Sequence, residues 1–212
     1  MLAAIKNCPY PMKKNNEIIQ GLWIGKSLSL MERLSLNSFL ARGHAVHLYA
    51  FATMRDVPEG VVVKDANKMV PKETIFKYKR KVGKGSYAGF SNLFRYKLLL
   101  DKGGIWSDLD VVCLKQLDFG NEYVFATEHN VNGGTKICAA IIKAPAGCEL
   151  MEACYREARQ MDPGSLRWNQ MGSDLLGAKV DSFGLRPYLA SPVTLGGLAQ
   201  DSPFLPWKDD DE

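Results

Sequence analysis

Two aspartates one residue apart, Asp108 and Asp110, stand in the run Gly103-Gly104-Ile105-Trp106-Ser107-Asp108-Leu109-Asp110. Paired carboxylates suit a hard divalent cation, magnesium or manganese, held by one or two protein oxygens and completed by phosphate and water. Alone, an Asp-x-Asp says little. With thirteen aspartates in 212 residues, about one such pair arises by chance, and Asp209-x-Asp211 is a hit of that kind. Context separates the two. Residues 105–114 read as a strand, and side chains two apart on a strand share a face. Asp108 and Asp110 are therefore expected to project together at its entry, with Leu109 turned to the core. The glycines ahead, Gly103 and Gly104, let backbone approach a ligand where a Cβ would block it. Three readings fit: a metal site for a nucleotide diphosphate, an Asp-x-Asp-x-Val phosphatase nucleophile, and a solvated turn without chemistry. The phosphatase reading wants a continuous apolar strand before the first aspartate, and Gly-Gly-Ile-Trp-Ser stands there instead.

The elements that must carry this pair alternate. Residues 18–24 read as a buried strand. Ser29 with Glu32 forms a capping box that opens a helix to about Ala41, with Leu30, Leu34 and Leu40 on one side. Residues 46–51 give a second strand and 61–63 a short third. A helix with Ser91 near its start carries Phe90, Leu93, Phe94 and Leu98 at helical spacing and stops at Gly103-Gly104. Residues 123–126 and 137–142 read as strands, 148–161 and 172–183 as helices. This alternation predicts one α/β domain over residues 1–212 with a mixed, mostly parallel sheet flanked by helices. The charged end, 207–212, reads as frayed, and its abruptness as a C-terminally short version of such a domain.

Composition narrows the setting. Apolar residues at 46% and charged ones at 24% fit a packed globular core and exclude a disordered or collagen-like chain. No apolar run reaches membrane-spanning length, and residues 1–16 lack a signal-peptide core. Five cysteines without a Cys-x-x-Cys encode neither a disulfide framework nor a zinc finger. A reduced, cytoplasmic protein is expected. Between Lys64 and Lys84 eight cations face two acids, a local +6 against a whole-chain +4, so the rest nets −2. That window suits a phosphate-bearing substrate or a peripheral membrane contact, with a plain solvated face as the equal alternative; nucleic acid is not expected, because aromatic interleaving stops at Phe76 and Tyr78. His44, His47 and His129 show no ligand spacing and are read as packing or surface residues.

The run Ser91-Asn92-Leu93-Phe94-Arg95-Tyr96, then Leu98-Leu99, then Gly103 to Asp110, resembles the signature of the DXD-containing, sugar-binding glycosyltransferases. That group includes the α-1,4-galactosyltransferase-like and yeast mannosyltransferase-like enzymes and the glucosyltransferase domains of clostridial toxins. Leu22-Trp23-Ile24-Gly25 is similar to the Trp-Ile-Gly that opens those domains. Residues 169–176 resemble a later Gly-Pro-x-Leu-Thr segment, and Phe204-Leu205-Pro206-Trp207 resembles Phe-Tyr-Pro-x-x-Trp. The resemblance implies a GT-A fold, a nucleotide-sugar donor, often UDP-linked, a divalent metal (Mn²⁺ or Mg²⁺), and hexosyl transfer with retention to a saccharide or other hydroxyl acceptor. Surface polysaccharide assembly is the expected setting.

Carried over by position, the resemblance makes Trp23 the base-stacking residue, flanked by Leu22, Ile24 and Gly25. Arg95 meets donor hydroxyls or phosphate, Asp108 meets sugar or ribose, and Asp110 chelates the metal with Asp108 beside it. Gly172 and Ser173 approach the donor from the other side. Asn92, counted with Gly103 and Gly104 among the donor-binding positions, stands where the family has aspartate; Ser173 replaces its proline and Gly177 its threonine, and the chain stops short of the family's later histidine segment. A non-catalytic nucleotide-sugar-binding remnant is the alternative those departures suggest.

Overall fold

In the computed structural model, described over residues 18–130 and 133–195, a six-stranded sheet runs in the order β3-β2-β1-β4-β6-β5. Strands β1 (Ile19–Trp23), β2 (Val46–Ala50), β3 (Val61–Asp65) and β4 (Gly104–Ser107) pair in parallel, while β6 (Thr135–Ala144) pairs antiparallel to β4 and to β5 (Val124–His129). Buried on both faces, β1, β2 and β4 carry nearly unbroken apolar sequence, as parallel strands must.

Helix α1 (Leu30–Ala41) starts at the expected capping box: Met31 N–H donates to Ser29 Oγ at 3.2 Å, and Ser29 N–H to Glu32 Oε2 at 2.6 Å. Its buried stripe differs from the expected one. Leu36 and Phe39 pack on β1 and β2, while Leu30 is 75% and Leu34 50% exposed. Leu34 and Leu36 stand about 200° apart around the helix, and only one of the two stripes can meet the sheet.

On the opposite face, α2 (Ala88–Lys102), α3 (Glu149–Ala158) and α4 (Leu175–Ser182) cover the larger core around Phe90, Phe94, Trp106, Phe125 and Met151. Helix α2 stops at Gly103, whose φ of +62° is left-handed and whose N–H donates to Leu99 O. Residues 204–207, with their family resemblance, lie outside the described residues.

Strand β4 is shorter than its sequence predicts. It ends at Ser107, Asp108 N–H donates to Ala140 O at 2.8 Å, and the chain turns at Leu109-Asp110. Leu109 Cδ2 rests where a Cβ on Gly21 would stand 2.8 Å away, so the glycine in β1 gives the turn its seat. Beyond it Val112 and Leu114 are exposed rather than paired.

Candidate active site

Strands β1 and β4 neighbour each other, yet the chain leaves β1 toward β2 and β3 on the other side. The order of connection reverses between them. In an open α/β sheet such a switch point leaves a crevice at the carboxyl ends of the strands. Trp23 ends β1 there, and Asp108 to Asp110 follow β4 directly beside it.

The aspartates therefore sit on the turn that leaves β4, not at the entry of a strand; the expectation of two carboxylates alternating along a 105–114 strand is corrected. Asp108 is half-buried and Asp110 exposed. Asp108 Oδ1 accepts from Arg95 Nη2 and from Trp106 Nε1, both at 2.9 Å. Burial pushes its carboxyl above the ordinary aspartate range; Arg95 and the Trp106 hydrogen bond pull it down, and the Asp110 charge adds to the rise. A half-buried carboxylate with a second, exposed one two residues on makes a site short of positive charge. Those oxygens fit a divalent cation that takes its remaining ligands from diphosphate and water. Among the described residues no group of three or more His, Cys, Asp or Glu could hold a metal by itself.

Arg95 is 4% exposed, and its guanidinium is engaged by protein on every side. Nη1 donates to Ala139 O, Nε to Ser91 O at 3.4 Å, Nη2 to Ser91 Oγ at 3.3 Å and to Asp108. Its Cζ lies 4.8 Å from the centre of the Trp106 ring. The planar fork thus ties α2 to β6 and to the acidic turn together.

A second wall comes from the π-turn Gln170–Asp174. Tyr96, buried one residue after Arg95, donates its hydroxyl to Met171 O at 2.9 Å and Gly172 O at 3.1 Å. Asn92 packs so close that a Cβ on Gly172 would stand 2.8 Å from Asn92 Nδ2. Asn92 and Gly172 are thereby brought together one turn of α2 from Arg95, with Ser173 next in the chain. Tyr78, whose hydroxyl is held above its ordinary value by burial and by Asp174, lies near Arg95 as well.

Other expected residues stand elsewhere. Leu22 is 8% exposed and belongs to the core. Trp23 is half-buried with Nε1 donating to Ser27 O at 2.9 Å, and Gly25 leaves room for that ring: its Cβ would stand 2.7 Å from Nε1. Ile24 packs against the core edge. Gly103 and Gly104 lie at the far end of β4, a strand of four residues and about 13 Å from the aspartates. The close approach Gly103 permits is to the Ala144–Ala146 backbone rather than to a ligand at the acidic turn, since its Cβ would come within 2.5 Å of Ala146 N.

Two residues that the sequence leaves without a role, Trp106 and Tyr96, belong to the site. Trp106 precedes Asp108 by two, and Tyr96 follows Arg95 inside the quoted motif; those spacings are the available signal. A cavity of about 520 Å³ lies away from the aspartates, across β1, β2 and β3, lined by Gln20, His47, Tyr49, Lys64 and Lys102 among others.

Residues 28–127 match the family model "Glycosyltransferase sugar-binding region containing DXD motif", a stretch that runs from just before α1 past the acidic turn into β5. No curated protein matches the chain. Among solved structures, one titled "PaToxG Glycosyltransferase" superposes with TM-score 0.56 at 15% identity, covering 81% of this chain and 69% of that one. Another, a transferase mutant carrying two cysteine-to-serine substitutions, gives TM-score 0.51 at 9% identity, covering 82% and 88%. The fold is GT-A-like, as the resemblance implied.

Proposed function

We propose, from the match of residues 28–127 to the sugar-binding-region family model, a metal-dependent glycosyltransferase. It moves a hexose from a nucleotide-sugar, UDP-linked, to a saccharide or other hydroxyl acceptor with retention. The observation that carries the reading is the acidic turn at the β1/β4 switch point, where exposed Asp110 stands beside an Asp108 clamped by Arg95 and Trp106.

Asp110 and Asp108 would hold the divalent ion, Mn²⁺ or Mg²⁺. Such an ion supplies Lewis-acid stabilisation of the charge that gathers on the nucleotide diphosphate as the sugar leaves. The chain's own residues prepare the place. Arg95 is a positioning residue: with its donors committed to Ser91, Ala139 and Asp108, it fixes one carboxylate oxygen and leaves the other to a ligand. Trp23, its indole nitrogen pinned to Ser27, offers a ring at the end of β1 for the base. Gly172 and Ser173, held by Tyr96 and Asn92, close on the donor from the other wall. The sugar passes through an oxocarbenium-like state, so fixed charge and orientation matter more than a strong nucleophile.

Asn92 favours the remnant as the second reading, because it offers an uncharged amide where the family carries a carboxylate. Surface polysaccharide assembly in the cytoplasm is the setting proposed. No nucleic-acid partner is proposed.

Incubating the full chain with UDP- and GDP-sugars and manganese, while following nucleotide release, tests the assignment. Release that disappears in Asp110→Ala supports the transferase. Metal-dependent binding without release leaves the remnant. No binding of any nucleotide-sugar removes both.

A further inference from the structure

Beside the crevice, residues 78–86 form a closed basic loop. Tyr78 N–H donates to Ser86 O and Gly85 N–H to Tyr78 O, both at 2.9 Å, which shuts the stem; Ser86 N–H reaches Gly83 O at 2.9 Å and tightens the tip. Gly83 sits on the Trp168 indole, where a Cβ would come within 2.3 Å of ring carbon Cε3. The Trp168 ring also packs on Tyr78, with centroids 5.2 Å apart. The loop is braced on both sides.

What it projects is amphipathic. Lys79, Arg80, Lys81 and Lys84 are exposed, with no acid in 79–84. Val82 stands among them at 63% exposure, and Trp168, at 42%, lies beside exposed Arg167. Asp162 feels the charge of Lys79. Arg80, Lys81, Lys84 and Arg167 have no carboxylate at ion-pair distance among the described residues.

We propose that this loop seats on an anionic lipid surface. The cations meet headgroup charges while Val82 and the exposed part of Trp168 enter the interfacial layer, the division of labour of a peripheral anchor. A nucleic acid fits less well, because the Trp168 ring is taken up by Gly83 and Tyr78 instead of being offered to a base. The stem runs straight into Tyr87 and α2, and Trp168 precedes the 170–174 turn.

The proposal goes beyond sugar transfer and is read without a donor. Co-sedimentation of the full chain with phosphatidylcholine vesicles, with and without phosphatidylserine, gives the first measurement. Binding is expected only with phosphatidylserine, weakening as salt rises. Arg80→Ala and Lys81→Ala each lower the partition coefficient roughly fivefold, and Val82→Asp lowers it further. All three side chains point to solvent, so thermal midpoints stay at the parental value. Equal binding to both vesicles, undiminished binding by the variants, or tighter binding to a single-stranded oligonucleotide than to the anionic vesicles overturns the assignment.

Discussion

Replacing Gly103 by alanine puts a methyl group into space the main chain already fills. A Cβ there lies 2.5 Å from Ala146 N, 3.1 Å from Ala144 O and 3.1 Å from Pro145 C. Backbone atoms have no rotamer to swing away, so the end of α2 and the 144–146 turn must part. Gly103 also holds φ +62° with ψ −163°, ground that is essentially glycine's alone. The conformation costs about 1–3 kcal/mol, and the collision adds about 1–3 kcal/mol. Their sum is a large part of a typical stability of roughly 5–15 kcal/mol, and the unfolding midpoint falls on the order of 10 °C. Two reference substitutions separate the terms. Gly147 has φ +73° with nothing within 4 Å of its would-be Cβ, so Gly147→Ala meets a positive-φ cost without a collision; Gly120 has the same open space and no such φ. Scanning fluorimetry should rank Gly103→Ala far below Gly147→Ala, and Gly120→Ala level with the parent. A Gly103→Ala protein that melts with Gly147→Ala refutes the packing argument.

Tyr96→Phe removes the donor shared by two buried carbonyls and should cost about 1–3 kcal/mol, with the donor KM rising more than kcat falls, since the 170–174 turn loosens; steady-state kinetics and thermal melts check both. Arg95→Lys cannot span Ser91, Ala139 and Asp108 at once. Its cost of about 2 kcal/mol falls short of a sealed pair because Asp108 reaches solvent, and manganese affinity should drop with it, as calorimetry would show. Metal binding should also weaken as pH falls, from a higher pH than for an aspartate of ordinary pKa, about 4. Asp108 is raised by burial, so protons compete for it earlier, and a manganese titration across pH reads the onset. For folding the sign is opposite: the folded state binds this proton more readily than the unfolded chain, so protonation of Asp108 favours the fold.

The fold was legible where local signals agreed with packing. The Ser29 and Glu32 cap, the apolar β1 and β2 runs and the Gly103 stop each name one element, and each is present. Strand β4 is shorter than its composition suggests, because Val111-Val112 has strand composition without a strand partner. What ends it is tertiary: Leu109 drops onto Gly21, a contact no periodicity displays. The stripe on α1 differs for a related reason: Leu30 with Leu34 and Leu36 with Phe39 both obey helical spacing, and the sheet alone chooses between them. At the site, residue types pointed to the aspartates and to Arg95. That Arg95 spends its donors on Ser91, Ala139 and Asp108 depends on where α2 crosses β6, which spacing along one helix does not encode.

Calorimetric titration of UDP into the parent chain and Asp110→Ala, each with and without manganese, puts the acidic turn to the decisive trial. Asp110 is exposed, so its loss should leave the thermal midpoint unchanged. Tight binding is expected only for the parent with manganese. UDP binding that ignores the ion, or survives intact in the folded Asp110→Ala protein, contradicts a metal site at this turn.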